Sequence, residues 1–222
     1  EKLLREATPS GDVLVLGTGE RQYFPTDSLL PYPDEFAREM DTNLALQTTF
    51  LVEWPTVARG AFDSAFSALP APLLIEEMQH VQGYFPLRKT GGELLPRFVA
   101  VRDGGKGNLS AVVAGWENVL RAKLIDASYF WEQDLKTPLA DRVDSLSGVV
   151  FHEKLGSMYD RVDRIRRVAA DAAAQMPSGA PVDAHSLDRA ARLCKADLTT
   201  ELVTELSGLQ GVMGEIYAEK SG

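Results

Sequence analysis

The spacing of apolar and polar positions divides the chain into an α/β front and a helical rear. Asp12 to Gly17 (DVLVLG) is a short run rich in valine and leucine that closes on glycine, the pattern of a buried strand. Three prolines between Phe24 and Pro33 predict an irregular stretch. A helical pattern then starts at Asp34, runs toward Glu53 and stops at Pro55, because a residue before proline avoids helical dihedrals. Pro70 and Pro72 break the chain again, ahead of a short helix from Leu73 to Gln79. His80–Leu87 and Leu94–Val101 flank the turn-rich Lys89-Thr90-Gly91-Gly92, which predicts a β-hairpin. Pro86 and Pro96 lack an amide donor and belong at an edge or a strand end.

Asp103 to Asn108 (DGGKGN) connects this hairpin to an amphipathic helix from Gly115 to Trp131. There Val119, Lys123 and Ala127 lie four apart on one stripe, with Trp116, Leu120, Leu124 and Trp131 near an apolar one. Beyond Asp134 the pattern is helical. Leu155, Met158, Val162, Ile165 and Val168 recur at helical spacing in a segment reaching Ala174. Met176 to Pro181 reads as a linker, and Asp183 or Ser186 caps a helix through Asp188 to Leu198. Thr199–Leu206 and Leu209–Tyr217 read as two further short helices. The predicted class is α+β, with a mixed portion over residues 1–140 and an all-helical module over 141–222. The boundary falls between Gln133 and Val150, and no internal repeat or low-complexity tract interrupts the pattern.

Composition changes this picture in three ways. With 45% hydrophobic and 25% charged residues in 222, the chain is globular and long enough for a sizeable core. No apolar run approaches the roughly 20 residues needed to cross a bilayer. The chain opens on Glu1 without a methionine or a recognisable targeting segment, which predicts a fragment or processed piece. Cys194 is the only cysteine, so the chain can form no internal disulfide and no cysteine-based zinc site, and a reducing compartment is expected.

Charge is the third. A net charge of -9 argues against a surface that binds nucleic acid throughout. Its distribution is uneven, however: the first 70 residues hold eleven acids against five bases, whereas Arg88 to Lys123 holds seven bases against three acids. An anionic partner should meet the middle of the chain.

Most motifs with chemical potential fail on spacing. Gly104-Gly105-Lys106-Gly107 lacks the Walker arrangement, with Gly107 where a Ser or Thr belongs, and reads as a mobile turn. Gly17-Thr18-Gly19 has no third glycine at the dinucleotide-binding offset. His80, His152 and His185 form no ligand-spaced set and read as structural or solvated, and Cys194 reads as a core residue. The basic residues are more suggestive. Arg121 and Lys123 lie near Trp116, Tyr129 and Trp131, and Arg161, Arg164 and Arg167 recur along the later helix, where guanidinium groups can neutralise phosphates. Asp160 with Arg164 and Asp163 with Arg167 are also four apart, the spacing of ion pairs on a solvated helix face.

Several segments carry a resemblance. VEWP (Val52 to Pro55), GYFPL, LLPRFVAV, GWENVLRAKLIDASYFW, FHEKLGSMYDRVDRI, AARLCKADLTTELVTEL and LQGVMGEIYA occur in order over nearly all of the chain from Val52. Together they resemble the beta subunit of the bacterial, heterotetrameric glycyl-tRNA synthetase. The resemblance implies an internal fragment of a longer subunit, whose partners are the alpha subunit and the tRNA for glycine, with no membrane. The catalytic core using ATP and magnesium then lies on the alpha subunit, and this segment holds no catalytic residue, metal or cofactor of its own. The implied location is the cytoplasm, or a plastid or other organelle of bacterial ancestry.

The family's helical part has been likened to HD-type phosphohydrolase domains. Here no His-Asp dipeptide occurs and the expected helix reads CKAD (Cys194 to Asp197), which implies a degenerate HD-like scaffold. The tRNA-contact candidates, chosen as clustered positive charge on an acidic chain, are Arg97, Arg121, Lys123, Arg161 and Arg164. The alternative reading is a protein-interaction scaffold that never touches RNA.

Overall fold

The computed structural model describes residues 13–16, 21–24, 42–88, 93–105, 107–176 and 182–221. The glycines at 17 and 19, the start of the helix expected from Asp34, the hairpin turn at 89–92, Lys106 and most of the linker before Val182 lie outside them. The architecture is α+β, as expected. The chain divides into two compact units, Glu1–Asp126 and Ala127–Gly222.

In the first unit, β1 (Val13–Leu16) and β2 (Arg21–Phe24) pair antiparallel. Helix α1 (Thr42–Leu51) leads to β3 (Pro55–Ala61), a strand the sequence reading missed because it took Pro55 only as a helix stop. A 3-10 turn, a short helix α2 (Ala71–Glu76) and a π-type turn (Glu77–Val81) follow. The expected hairpin is present: β4 (Phe85–Arg88) pairs with β5 (Leu94–Asp103). His80 and Val81 do not begin that strand, which corrects the expected His80–Leu87 span. They belong to the π turn, and Gly83 at φ +69° then redirects the chain while the Tyr84 amide donates to the Met78 carbonyl at 2.6 Å.

The sheet order is β3-β5-β4, all antiparallel, so β5 is central and Pro96 sits in an inner strand. It is tolerated because β3 pairs with β5 only from Arg97 onward and the β4 register shifts across the same stretch. Phe98 of β5 is fully buried under Tyr84, with ring centroids 4.5 Å apart. Its ring also fills the space over Gly60, where an added Cβ would lie 2.2 Å from the ring carbon Cζ. Helix α3 (Leu109–Asp134) closes this core with Leu120 and Leu124. Burying each such side chain stabilises the fold by about 1.5–3 kcal/mol. Val119 and Lys123 are exposed while Ala127 is buried, so the stripe through all three does not face one environment.

The second unit departs from the all-helical expectation. Its first segment after α3 is a long 3-10 stretch (Leu139–Gly148), followed by a small hairpin of β6 (Val150–His152) and β7 (Gly156–Ser157). Helix α4 (Met158–Ala174) starts three residues later than its apolar pattern suggests. Ser157 and Asp160 form a capping box there, which leaves Leu155 exposed in the hairpin turn. Leu146, Met158 and Val162 form a buried cluster, whereas Val168 is exposed.

Asp183 caps α5 (Ala184–Leu193) by accepting from the Ser186 amide at 2.9 Å. That helix stops at Leu193 rather than continuing to Leu198. Cys194 therefore falls in a turn, exposed, and is not a core residue. A 3-10 turn (Ala196–Thr199), a one-turn helix α6 (Glu201–Glu205), another 3-10 turn and α7 (Val212–Ser221) complete the unit. No helix among the described residues is long and apolar enough to cross a membrane.

Candidate nucleic-acid interface

The five basic residues singled out above stand in different settings. Arg97 is half-buried on β5, opposite Ala61. Arg121 and Lys123 are exposed on α3, but two residues apart on a helix place them on different faces. Arg121 donates to the Asn118 side-chain oxygen at 3.1 Å. Lys123 acts electrostatically on Glu77, whose carboxyl is pushed above the ordinary range by burial, against the opposing pull of Lys123. Arg121 and Lys123 therefore do not share one cationic face.

Arg161 and Arg164, one helical turn apart on α4, are brought together, and both fasten their helix to the β6–β7 hairpin. The Arg161 guanidinium lies over the Phe151 ring, 4.3 Å from its centroid. Arg164 donates to the Leu155 carbonyl at 3.1 Å and remains exposed. Asp160 does not form the expected ion pair with Arg164. It turns back to Ser157, whose hydroxyl and amide hydrogen bonds hold its carboxyl below the usual range. Asp163 and Arg167 do form the expected pair. Arg166, which the sequence reading passed over, binds Asp188 of α5 through two bonds of 2.8 and 3.0 Å.

The sequence reading also missed a buried polar centre in the second unit. Asp134, at the last position of α3, is 2% exposed. Its Oδ1 accepts the Glu201 amide at 2.9 Å, and its Oδ2 accepts the Leu202 amide and the Tyr217 hydroxyl, each at 3.0 Å. Arg142 lies 3.2 Å from Oδ1 and donates also to the carbonyls of Asp134 (3.0 Å) and Thr199 (3.1 Å). Burial, then the charge of Asp134, raise the Tyr217 phenol far above its ordinary value. Every donor here is satisfied by a fixed acceptor, which marks a structural clamp. No periodicity signals it, because its members lie 8, 67 and 83 residues apart along the chain. Asp197, of the CKAD segment, is buried and accepts the Gly211 amide at 2.5 Å. Among the described residues no group of three or more histidine, cysteine or acidic side chains is placed to hold a metal.

Comparison with known proteins gives the chain's family. The family model described as glycyl-tRNA synthetase beta subunit matches residues 32–222, and the chain belongs to that family. Curated relatives named glycine–tRNA ligase beta subunit include those of Desulforamulus reducens (44% identical over 184 residues, 83% of this chain and 26% of the relative). That of Neisseria meningitidis serogroup A is 45% identical over 182 residues, 82% of this chain and 26% of the relative. The chain thus spans about a quarter of the length of the relatives it matches.

Proposed function

We propose that this chain serves in the beta subunit of a glycine–tRNA ligase, supporting attachment of glycine to its tRNA through tRNA recognition and subunit assembly. The observation that carries this reading is the match of residues 32–222 to the beta-subunit family. The partners are the alpha subunit and the tRNA for glycine, in the cytoplasm or in an organelle of bacterial ancestry. Activation of glycine with ATP and magnesium is assigned to the alpha subunit. The module from about residue 141 onward acts as an HD-like scaffold, consistent with Asp197 being tied to the Gly211 amide.

Exposed Arg121, Lys123 and Arg164 retain donors that can meet phosphates, with Arg161 one helical turn from Arg164 and Arg97 half-buried on β5. The test is complex formation between the subunit, its alpha partner and the tRNA at low and moderate salt. Alanine at a true phosphate contact should weaken binding to all tRNA sequences and reduce the salt slope by about one unit per contact. Unchanged affinity and slope in all five variants would favour the scaffold reading. That alternative draws on the engagement of Arg161 and Arg164 with Phe151 and Leu155.

A further inference from the structure

The π turn at Glu77–Val81 holds a buried acid that the apolar core around it does not explain. Met78 packs with Leu120 and Leu124, which seats the turn on α3. Glu77, beside Met78, is 4% exposed, and its Oε2 is shielded from solvent without a hydrogen-bond partner. A buried carboxylate with an unmet oxygen is costly, and a proton relieves that cost. The elements packed against the turn supply few charges. In α2, Glu76 lies 3.8 Å from His80. Tyr84, ahead of β4, is stacked on Phe98, and β4 itself carries only Arg88, at its far end. Helix α3 presents Lys123 and Asp126, three residues apart and both exposed. Burial above all raises the Glu77 carboxyl; Lys123 opposes that, and Glu76 and Asp126 add to it. Lys123 is therefore the cation that steadies charge on Glu77, and it is also an exposed candidate for phosphate contact.

We propose that Glu77 takes up a proton from solvent when an RNA phosphate engages Lys123, so that this face binds RNA and a proton together. The phosphate neutralises the ammonium and brings its own negative charge. Both make ionised Glu77 harder to hold in the core. Linkage requires the converse: protonated Glu77 makes no claim on Lys123, so RNA binds more tightly to that form. Affinity then falls as pH rises through the Glu77 range, which lies above the ordinary glutamate value of about 4.3. Below that range Glu77 is already neutral and no proton moves. The inference rests on the reading above that Lys123 meets tRNA.

The test counts protons. The full-length subunit, assembled with its alpha partner, is titrated calorimetrically with the tRNA for glycine in buffers of differing ionisation enthalpy, at several pH values above the ordinary glutamate range. The parent should take up a fraction of a proton per tRNA, and its affinity should fall about threefold across that range. Glu77→Gln, neutral at every pH, should bind without that uptake and with a flatter pH profile. Lys123→Met should bind more weakly and also lose the uptake. Thermal melting checks that both variants fold; if Glu77→Gln does not, the proton count of Lys123→Met decides. Uptake that persists in either variant, or no uptake in a parent whose binding Lys123→Met weakens, would overturn the inference and leave the tRNA reading intact. If Lys123→Met changes neither affinity nor salt slope, the inference and the assignment of Lys123 as a tRNA contact both fall.

Discussion

The two units treat buried polar groups differently. In the first, long elements meet through apolar faces, with Phe98, Tyr84, Leu120 and Leu124 at the centre. Among its described residues the Thr56 hydroxyl donates to the Gly104 carbonyl, whereas Glu77 Oε2 and Arg59 Nη2 have no hydrogen-bond partner. In the second, the elements are short and their ends are many. Each helix end leaves amides or carbonyls that need partners, and Asp134 and Arg142 supply them for α3, α6 and the 3-10 turn before it. Asp197 Oδ1 is the exception there. Short helices thus call for a polar hub, while long ones can be joined by side-chain packing alone.

The comparison is broken most directly at Asp134. Asp134→Ala strips the buried partner from half-buried Arg142 and uncovers the α6 amides, and should cost about 3–5 kcal/mol by denaturant unfolding. Loss of under 1 kcal/mol would make the hub dispensable. Next comes the apolar core, where Gly60→Ala drives a methyl into the Phe98 ring. Urea unfolding should show a loss of about 1–3 kcal/mol, and Phe98→Leu in the same chain should recover part of it.

Glu77 sharpens the contrast through pH. Its folded-state pKa is raised by burial, so the neutral form is favoured in the native state. Its contribution is intact below the ordinary glutamate value of about 4.3 and is lost as pH rises through the raised folded value. Glu77→Gln should therefore match the parent near the lower limit and exceed it in stability at neutral pH, as thermal melts across pH would show. The smallest effect belongs to Arg167→Ala, which removes an exposed i,i+4 pair with Asp163 and should shift stability by no more than about 0.5 kcal/mol.

Much of the architecture was legible in local pattern. The β4–β5 hairpin, the α3 helix with Leu120 and Leu124 inward, and a cap at Asp183 or Ser186 all followed from spacing and residue type, and the structure uses Asp183. The errors have physical causes. β3 was missed because alternation in PTVARGA is weak when small residues face the sheet interior, and Gly60 is small because Phe98 occupies its space. Cys194 was placed inside because the helix was extended through a turn that tertiary packing imposes. Of the basic candidates, charge alone identified positions, but it could not show that Arg161 and Arg164 are engaged by Phe151 and Leu155.

The sequence by itself determined the family, the α+β class, the order of most elements and the faces that long helices bury. These depend on period, capping chemistry and extended segment similarity, all of which are properties of neighbouring residues. Tertiary structure alone decided that Asp134 would join Arg142, Glu201, Leu202 and Tyr217, and that β3 would pair with β5 from Pro55 to Ala61. Such partnerships are set when distant chain segments close on one another, and the cost of leaving a polar group unpaired is felt only there.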